Sequence, residues 1–223
     1  MGILIAVDGV DASGKQTQTE KLCKRLIEEG RKVRLVSFPA YENPSSELVR
    51  MYLSGRFGKN PEDVNAYAAS TFFAADRFAT FKTDWGRDYN NGTIIIADRY
   101  VSSNMIHQAG KIRDLHEKDK FLEWLEDFEY VKYGLPRPNK TIFLDMPTEY
   151  AVQLMKERPN KITGEAEKDI HEGDVGYLRD SYENAVYISE KFGWERILCA
   201  KNDKVRDVSD IHEEIYSKII NII

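Results

Sequence analysis

Short apolar runs that alternate with longer amphipathic segments constrain the fold of this 223-residue chain more than any other feature. The runs lie at 3–7, 32–38, 93–97, 140–146 and 196–200, and they are rich in β-branched residues. Each run is too short for a helix, and its continuous apolarity indicates a strand buried on both faces, as in a parallel sheet. Strands that alternate with helices imply right-handed crossovers, so we predict an α/β fold with a doubly wound sheet.

The segments between these runs carry helical periodicity. The predicted helices lie near 15–29, 45–55, 61–82, 101–112, 115–132, 148–157, 175–192 and 207–221. In doubly wound folds, ligands bind outside the carboxyl ends of the strands. The residues that follow each strand are therefore the first candidates for function.

The composition argues against several classes of protein. The formal net charge is −5, so no basic field predicts nucleic-acid binding. The apolar runs are far too short to span a membrane, and the first residues lack the basic region and cleavage site of a signal peptide. Cys23 and Cys199 lie far apart in apolar segments. We expect two buried free thiols, which is typical of a reducing cytoplasm.

The first predicted strand leads into a phosphate-loop motif, G-x-x-x-x-G-K, which ends at Lys15. The residues expected to surround the phosphates of a nucleotide are Gly9, Val10, Asp11, Ala12, Ser13, Gly14, Lys15, Gln16 and Thr17. The motif lies between a predicted strand and a predicted helix, which is the context that supports it. Glycines let backbone N–H groups surround a phosphate, and the helix N-terminus adds its positive end. The alternative is an ordinary glycine-rich turn.

Gln16 departs from this motif, which usually has a serine or threonine that binds Mg²⁺ at that position. The carbonyl oxygen of Gln16 could bind Mg²⁺ or one of its waters, because this ion accepts oxygen ligands. Thr17, one residue later, could also face the phosphates. Alternatively, Gln16 is a tolerated helix residue and other groups hold the metal.

A second polar cluster follows the third predicted strand. Asp98 could hold Mg²⁺ or its waters, and Arg99 carries a planar guanidinium suited to phosphate. The alternative is a surface ion pair, which the nearby phosphate loop makes less favoured. Ser103, Asn104 and His107 follow on a predicted helix and share one face. Such a polar face could contact a base or a sugar.

The motifs after the strands also form an ordered series. After the phosphate loop come Ser-Phe-Pro-Ala-Tyr at 37–41, Phe-Phe-Ala-Ala-Asp-Arg at 72–77 and Asp-Arg-Tyr-Val-Ser-Ser-Asn-Met-Ile-His-Gln at 98–108. Asp-Met-Pro and a charged stretch at 158–174 follow. The series resembles that of thymidylate kinases over nearly the whole chain. The resemblance implies one domain at 1–223 with a three-layer P-loop kinase fold, a five-stranded parallel sheet flanked by helices, and a mobile lid.

The resemblance implies a dTMP site assembled from several motifs. The expected contacts are Asp11, Phe38, Pro39, Tyr41, Phe73, Arg77, Arg99, Ser103, Asn104, His107 and Asp169. In the family, the residue matched by Phe73 stacks on thymine and the residue matched by Arg77 hydrogen-bonds to it. These two lie four apart on one helix face, which suits a base platform. The alternative for Phe73 is core packing, which we predict for Phe72 and Phe78.

His107 departs from the family, since many members have a tyrosine there, near the sugar 2′ position. Discrimination between deoxyribonucleotides and ribonucleotides is therefore left open.

The resemblance also implies which residues transfer the phosphoryl group. The predicted catalytic residues are Asp11, Lys15, Arg99 and Arg158. The family's catalytic arginine lies either in the phosphate loop or in the lid, and here the loop position is Ala12. We therefore assign it to the lid, with Arg158 as first candidate and Lys161 as second. The alternative for 158–174 is a solvated charged loop.

We predict from these motifs the ATP-dependent phosphorylation of dTMP to dTDP. The expected cofactor is Mg²⁺, with Gln16 and Asp98 as metal ligands, and the expected assembly is a cytoplasmic homodimer. We expect no nucleic-acid or membrane partner. The alternatives are a P-loop kinase for another nucleotide or nucleoside, and a catalytically weak nucleotide-binding module.

Overall fold

The computed structural model describes residues 1–155 and 175–223, and its main strands form a five-stranded parallel sheet. The strands are β1 (Leu4–Gly9), β2 (Val33–Ser37), β3 (Ile94–Asp98), β4 (Lys140–Asp145) and β5 (Glu195–Leu198). Their order across the sheet is β2-β3-β1-β4-β5. The predicted α/β fold with a buried parallel sheet is confirmed, and the strand bounds lie close to those predicted.

Helices connect the strands in the predicted alternation. They are α1 (Lys15–Glu28), α2 (Glu47–Leu53), α3 (Ala66–Thr80), α4 (Gly86–Asn90), α5 (Val101–His107), α6 (Leu115–Glu126), α7 (Thr148–Met155), α8 (Val175–Lys191) and α9 (Val208–Ile219). Two π-helical turns, Phe81–Trp85 and Asp127–Lys132, continue α3 and α6. The sequence reasoning missed α4 and the small antiparallel hairpin of β6 (Ala200–Lys201) and β7 (Lys204–Val205).

The predicted helix over 61–82 is wrong at its start. Pro61–Asp63 forms a separate 3₁₀ turn, and α3 begins only after Asn65. The side chain of Asn65 accepts a hydrogen bond from the backbone N–H of Ala68 at 2.9 Å. This contact caps the helix by satisfying a donor that has no partner within the first turn.

The fully buried face of α3 does not include the two phenylalanines that were predicted to pack in the core. Small residues such as Ala66, Ala69 and Ala74 lie on the fully buried face. Phe72 and Phe78, predicted as core residues, are only half-buried. Phe72 packs against Tyr52 and Phe57 in a smaller cluster beside the main core. The small side chains on α3 let its backbone approach the interior, which places its phenylalanines towards the flank.

The core has two halves, one on each face of the sheet. Because side chains alternate along a strand, Ile5 and Val7 of β1 pack on one face with residues of α1 and α9, whereas Leu4 and Ala6 pack on the other with residues of α5 and α6. The described chain therefore has the predicted three layers. Of the described helices, none combines the length and the hydropathy that a membrane span requires.

The prediction of two buried thiols holds for one cysteine. Cys199 is buried, Cys23 is half-buried, and both are free. Cys23 lies on α1 at the margin of the face that buries its neighbour Leu22.

The sheet order places the carboxyl ends of β2, β3 and β1 side by side. Ser37 at the end of β2 lies in register with Asp98 at the end of β3, and Asp98 lies in register with Val7 of β1. Three motifs that are distant in sequence therefore meet at one edge of the sheet.

Replacing Leu22 by alanine should lower the free energy of unfolding by about 2–5 kcal/mol, because this fully buried side chain fills the space between α1 and the sheet. Urea unfolding followed by circular dichroism measures the change. Ile27→Ala on the same helix is the matched control, since Ile27 is 55% exposed, and its effect should stay within about 0.5 kcal/mol. Equal losses in both variants would contradict this packing of α1.

Candidate active site

The loop between β1 and α1 has the backbone geometry of an anion site. Gly14 caps α1 in the left-handed region with φ 86°, a conformation that glycine adopts at little cost. At Gly9, a Cβ would lie 2.7 Å from the carbonyl oxygen of Leu144, so a side chain does not fit. No acidic residue lies in the first turn of α1. The positive end of this helix therefore faces the loop without a neutralising partner.

Lys15 extends back over this loop. Its ammonium group donates to the carbonyl oxygens of Gly9 at 3.0 Å and Val10 at 2.7 Å. Ala12 has φ 57°, a left-handed value that is uncommon outside glycine and typical of functional turns. The loop thus holds a buried cation beside the helix N-terminus, and the two features together favour a polyphosphate.

Gln16 and Thr17 lie on the exposed side of this first turn. The Nε2 atom of Gln16 donates to Glu20 at 2.9 Å, so its carbonyl oxygen is the atom that remains for a ligand. Gln16 lines the adjacent cavity, whereas Thr17 is not among the residues that line it.

A cavity of about 340 Å³ opens beside the loop, at the carboxyl ends of β2, β3 and β1. Its lining consists of Asp11, Gln16, Ser37, Phe38, Pro39, Tyr41, Leu53, Phe73, Arg77, Asp98, Arg99, Ser103, Asn104, His107 and Gln108. The structure thus brings together every residue predicted for the dTMP site except Asp169, which lies outside the described residues. Arg158 and Lys161 also lie outside them, so their roles stay predictions.

Arg99 lies at the junction of the loop and the cavity. Its φ of 68° is left-handed, which turns the side chain away from the path of β3 towards the loop. Its Nη2 atom donates to Asp11, and its Nη1 atom lies 3.4 Å from Ser103 Oγ and 4.0 Å from Asp8 Oδ1. Burial by itself would lower the pKa of Arg99, but the carboxylates of Asp11 and Asp8 outweigh it and raise the pKa. The guanidinium is therefore a permanent cation.

His107 borders Arg99 on the cavity wall. Its Nε2 atom lies 3.2 Å from Arg99 Nη1, and its ring stacks on Tyr177 with centroids 6.2 Å apart. Because a guanidinium only donates, Nε2 must accept, which requires a neutral ring. Burial lowers the pKa of His107 to about 4, with Arg99 acting in the same direction. His107 is therefore a neutral acceptor that orients Arg99 at physiological pH.

Asp8 is a site residue that the sequence reasoning missed. It is fully buried, and it accepts hydrogen bonds from Ser102 Oγ at 2.8 Å and Ser103 Oγ at 2.9 Å. It thereby ties the end of β1 to the start of α5, the helix that carries the polar face of the cavity. A carboxylate at the end of an otherwise apolar parallel strand was the available signal.

The far end of the cavity has the geometry of a base site. Phe73 lies half-buried on α3, with its ring edge-on to Tyr52. One turn later Arg77 is buried, and its Nε and Nη2 atoms each donate to the carboxylate of Glu129 at 2.6 Å. Asn104 donates to the same carboxylate at 3.0 Å. A ring and two oriented polar side chains therefore surround the space.

Glu129 was also missed by the sequence reasoning. The buried positions of α6 are Lys118, Phe121, Leu122 and Leu125. Position 129 continues this stripe one turn beyond Leu125, inside the π-helical turn. An acidic residue on an otherwise largely apolar helix face indicates a buried partner, and this signal was present in the sequence.

The segment after β2 forms another wall of the cavity. Phe38 is buried against Trp85 and Tyr100, so it serves the core as well as the cavity. Asp76 accepts hydrogen bonds from the backbone N–H of Ala40 at 2.8 Å and from Ser45 Oγ at 2.5 Å. These contacts hold the segment that carries Pro39 and Tyr41. Ser37, Leu53 and Gln108 also line the cavity, although none was among the expected dTMP contacts.

The two predicted metal ligands, Gln16 and Asp98, both line the cavity. Across residues 1–155 and 175–223, no cluster of three or more histidine, cysteine or acidic side chains could hold a metal ion by itself. An amide oxygen and a carboxylate nevertheless fit Mg²⁺, which is commonly held by one or two protein oxygens together with water and substrate phosphates.

Comparisons with known proteins indicate one family. A family model described as thymidylate kinase matches residues 7–192. A thymidylate kinase of Mycobacterium tuberculosis (strain CDC 1551 / Oshkosh) is 31% identical over 194 residues, which cover 86% of this chain and 82% of that protein. A thymidylate kinase of Schizosaccharomyces pombe is 27% identical over 224 residues, which cover 99% of this chain and 93% of that protein.

The fold is also similar to a solved structure, that of thymidylate kinase from Candida albicans. The TM-score is 0.72, with 22% sequence identity, over 99% of this chain and 92% of that one. At this identity the similarity concerns the fold alone.

His107 should make stability depend on pH. Its pKa is about 4 in the folded chain and about 6.5 when unfolded. Between these values only the unfolded chain binds the proton, so this stability is fully present above pH 6.5 and is lost as the pH falls towards 4. The loss should approach about 3 kcal/mol at pH 4. The variant His107→Asn should not show this loss of stability. Urea unfolding at a series of pH values from 4 to 8 measures it.

His116→Asn is the control for that experiment, because His116 is exposed on α6. It should keep the pH dependence of the parent chain. A His107→Asn variant with the parent's pH dependence would contradict a buried neutral histidine.

Proposed function

The chain belongs to the thymidylate kinase family and catalyses the ATP-dependent phosphorylation of dTMP to dTDP, and we propose that the cavity beside the phosphate loop is its dTMP site. The observation that carries this proposal is the position of Arg99. Its guanidinium contacts Asp11 of the phosphate loop and lines the same cavity as Phe73. One cation can therefore contact both the donor and the acceptor phosphates.

The reaction requires alignment and charge neutralisation more than proton transfer. The attacking oxygen belongs to the phosphate of dTMP and is already anionic, so no strong general base is needed. Lys15 and the N-terminus of α1 bind the outer phosphates of ATP. Arg99 opposes the negative charge between the two phosphates while the phosphoryl group is transferred, and this electrostatic stabilisation lowers the barrier.

The acceptor nucleotide is held at both ends. Asp11 lies next to Arg99 and contacts the sugar and phosphate end. Phe73 stacks on thymine, with Arg77 and Asn104 at the polar edge of the base. Phe38, Pro39, Tyr41 and Ser103 complete the walls, and His107 lies near the sugar. Asp169 remains a proposed contact from the segment outside the described residues.

We propose Gln16 and Asp98 as the residues that would hold Mg²⁺, directly or through water. When bound, the ion would neutralise phosphate charge. Arg158, with Lys161 as second candidate, remains the proposed lid cation, because Ala12 leaves the loop without an arginine.

Three further features are proposals. We propose that residues 1–223 form one domain. The segment at about 158–174, which lies outside the described residues, would be its lid. The homodimer follows from the family resemblance. A cytoplasmic location is supported by the two free cysteines, since reduced thiols are typical of that compartment.

An acceptor panel with Mg-ATP tests the activity most directly. We expect dTMP to give the highest kcat/KM in a coupled ADP-release assay, ahead of dUMP, dCMP and thymidine. Ribothymidine monophosphate in the same panel measures how far His107 excludes a 2′-hydroxyl. A higher kcat/KM for another acceptor would show that the protein is a kinase for that nucleotide or nucleoside. ATP binding without acceptor-dependent ADP release would instead indicate a nucleotide-binding module.

Arg99→Ala should lower kcat by roughly 10²- to 10⁴-fold, because an arginine on the transferred phosphoryl group stabilises the transition state strongly. The same ADP-release assay measures it. Arg34→Ala is the control. Arg34 lies on β2, forms ion pairs with Asp84 and Asp88, and does not line the cavity. Near-normal turnover of Arg99→Ala would remove Arg99 from the mechanism.

A further inference from the structure

We propose that Glu129 is a positioning residue that determines which pyrimidine the acceptor site takes. The proposal deepens the proposed function and rests on it, because it concerns the same cavity. Glu129 lies behind the cavity wall, where its side chain is fully buried within the π-helical turn after α6. It acts through two residues that do line the cavity, Arg77 and Asn104.

The carboxylate of Glu129 receives three hydrogen bonds. Its Oε2 atom accepts from Arg77 Nε at 2.6 Å, and its Oε1 atom accepts from Arg77 Nη2 at 2.6 Å and from Asn104 Nδ2 at 3.0 Å. Because Oε1 is shared, Arg77 and Asn104 are held next to each other. These charge-assisted contacts are stronger and better oriented than neutral ones.

The network determines which way the Asn104 amide faces. Its Nδ2 group has two hydrogens, one directed to Glu129 Oε1 and the other to the carbonyl oxygen of Ser70 at 3.2 Å. Both partners can only accept, so turning the amide over would place oxygen against oxygen. Asn104 therefore presents Oδ1, a hydrogen-bond acceptor, to the cavity.

The network likewise restricts Arg77. The carboxylate takes the Nε hydrogen and one of the two Nη2 hydrogens, which leaves the Nη1 hydrogens and the second Nη2 hydrogen as the donors for a ligand. Burial by itself would lower the pKa of Arg77, but Glu129 outweighs it and raises the pKa. Arg77 thus presents a fixed, charged donor beside the acceptor of Asn104.

A donor beside an acceptor is complementary to one edge of thymine and uracil. Those bases present a carbonyl oxygen next to a ring N–H group. Cytosine presents an amino group and a bare ring nitrogen at the same positions, so both contacts become mismatched. A buried site built for hydrogen bonding rejects such a ligand strongly, because its own polar groups are left unpaired. Stacking on Phe73 distinguishes the two bases little, since either ring offers a flat face.

A simpler role for Glu129 is that of counter-ion to the buried Arg77. Removing a counter-ion would lower the stability of the protein and would reduce kcat/KM for all acceptor nucleotides by a similar factor. Removing a positioning group would instead change the ratio between acceptors. The ratio of kcat/KM for dTMP to that for dCMP is therefore the informative quantity.

Glu129→Gln is the principal variant. The glutamine has the shape of glutamate, but its amide nitrogen replaces one acceptor with a donor, so the three donors of Arg77 and Asn104 cannot all be satisfied. We expect the dTMP to dCMP ratio to fall by roughly 10- to 100-fold. Where dCMP turns over too slowly, its inhibition constant against dTMP replaces its kcat/KM.

Glu129→Asp keeps the charge and so separates positioning from charge balance. Its carboxylate is one carbon shorter and cannot reach both partners at their present positions, so the ratio should fall, though less than with glutamine. It also carries the test if Glu129→Gln does not fold. Glu195→Gln makes the same chemical change in an ion pair with Lys140, outside the acceptor cavity, and it should leave the ratio unchanged.

The unaltered protein provides an independent probe. N3-methyl-dTMP lacks the ring N–H group that would donate a hydrogen bond to Asn104 Oδ1. Its kcat/KM should be at least about 10-fold below that of dTMP. Equal losses for dTMP and dCMP in both Glu129 variants would overturn the proposal. So would normal turnover of N3-methyl-dTMP. An unaltered protein that does not phosphorylate dTMP would instead refute the proposed function, which keeps the two failures distinct.

Discussion

The ion pair between Arg99 and Asp11 is the interaction on which the rest of the site depends. It joins the end of β3 to the phosphate loop after β1, and the buried carboxylate of Asp8 lies behind it. An arginine so enclosed is tolerated only because carboxylates surround it. The left-handed backbone of Arg99 is the local cost of this arrangement. The same contacts leave the guanidinium between the phosphate loop and the cavity.

Polar groups are buried at both ends of the cavity. Near the loop, Asp8 holds the serines of α5 and His107 stays neutral beside Arg99. At the far end, Glu129 holds Arg77 and Asn104. Burying such groups adds little to stability by comparison with apolar packing, but it orients donors and acceptors within a narrow range. The site thus uses buried charge to orient the polar groups that line the cavity.

The sequence predicted much of the fold and of the cavity lining. Buried parallel strands have continuous apolar runs, and the phosphate loop has a spacing that its backbone geometry requires. The sequence was a poorer guide to helix bounds and side-chain burial, which depend on tertiary packing. The start of α3 depends on the Asn65 cap, and Phe72 and Phe78 lie on the flank because small residues occupy the buried face. Asp8 and Glu129 each stand out as an acidic residue in an apolar pattern, but their partners, such as Ser102 and Arg77, lie far away in the chain. Their roles therefore became visible only in the structure.

By itself, then, the sequence determined the α/β sheet, the phosphate loop and the residue types at the strand ends, because each depends on local periodicity or spacing. Only the tertiary structure decided how these groups face one another. The sheet order brings β2, β3 and β1 together, and buried hydrogen bonds then orient Arg99, Arg77 and Asn104. Such contacts join residues that are far apart in the chain, among them Arg77 and Glu129, and no local pattern specifies their geometry.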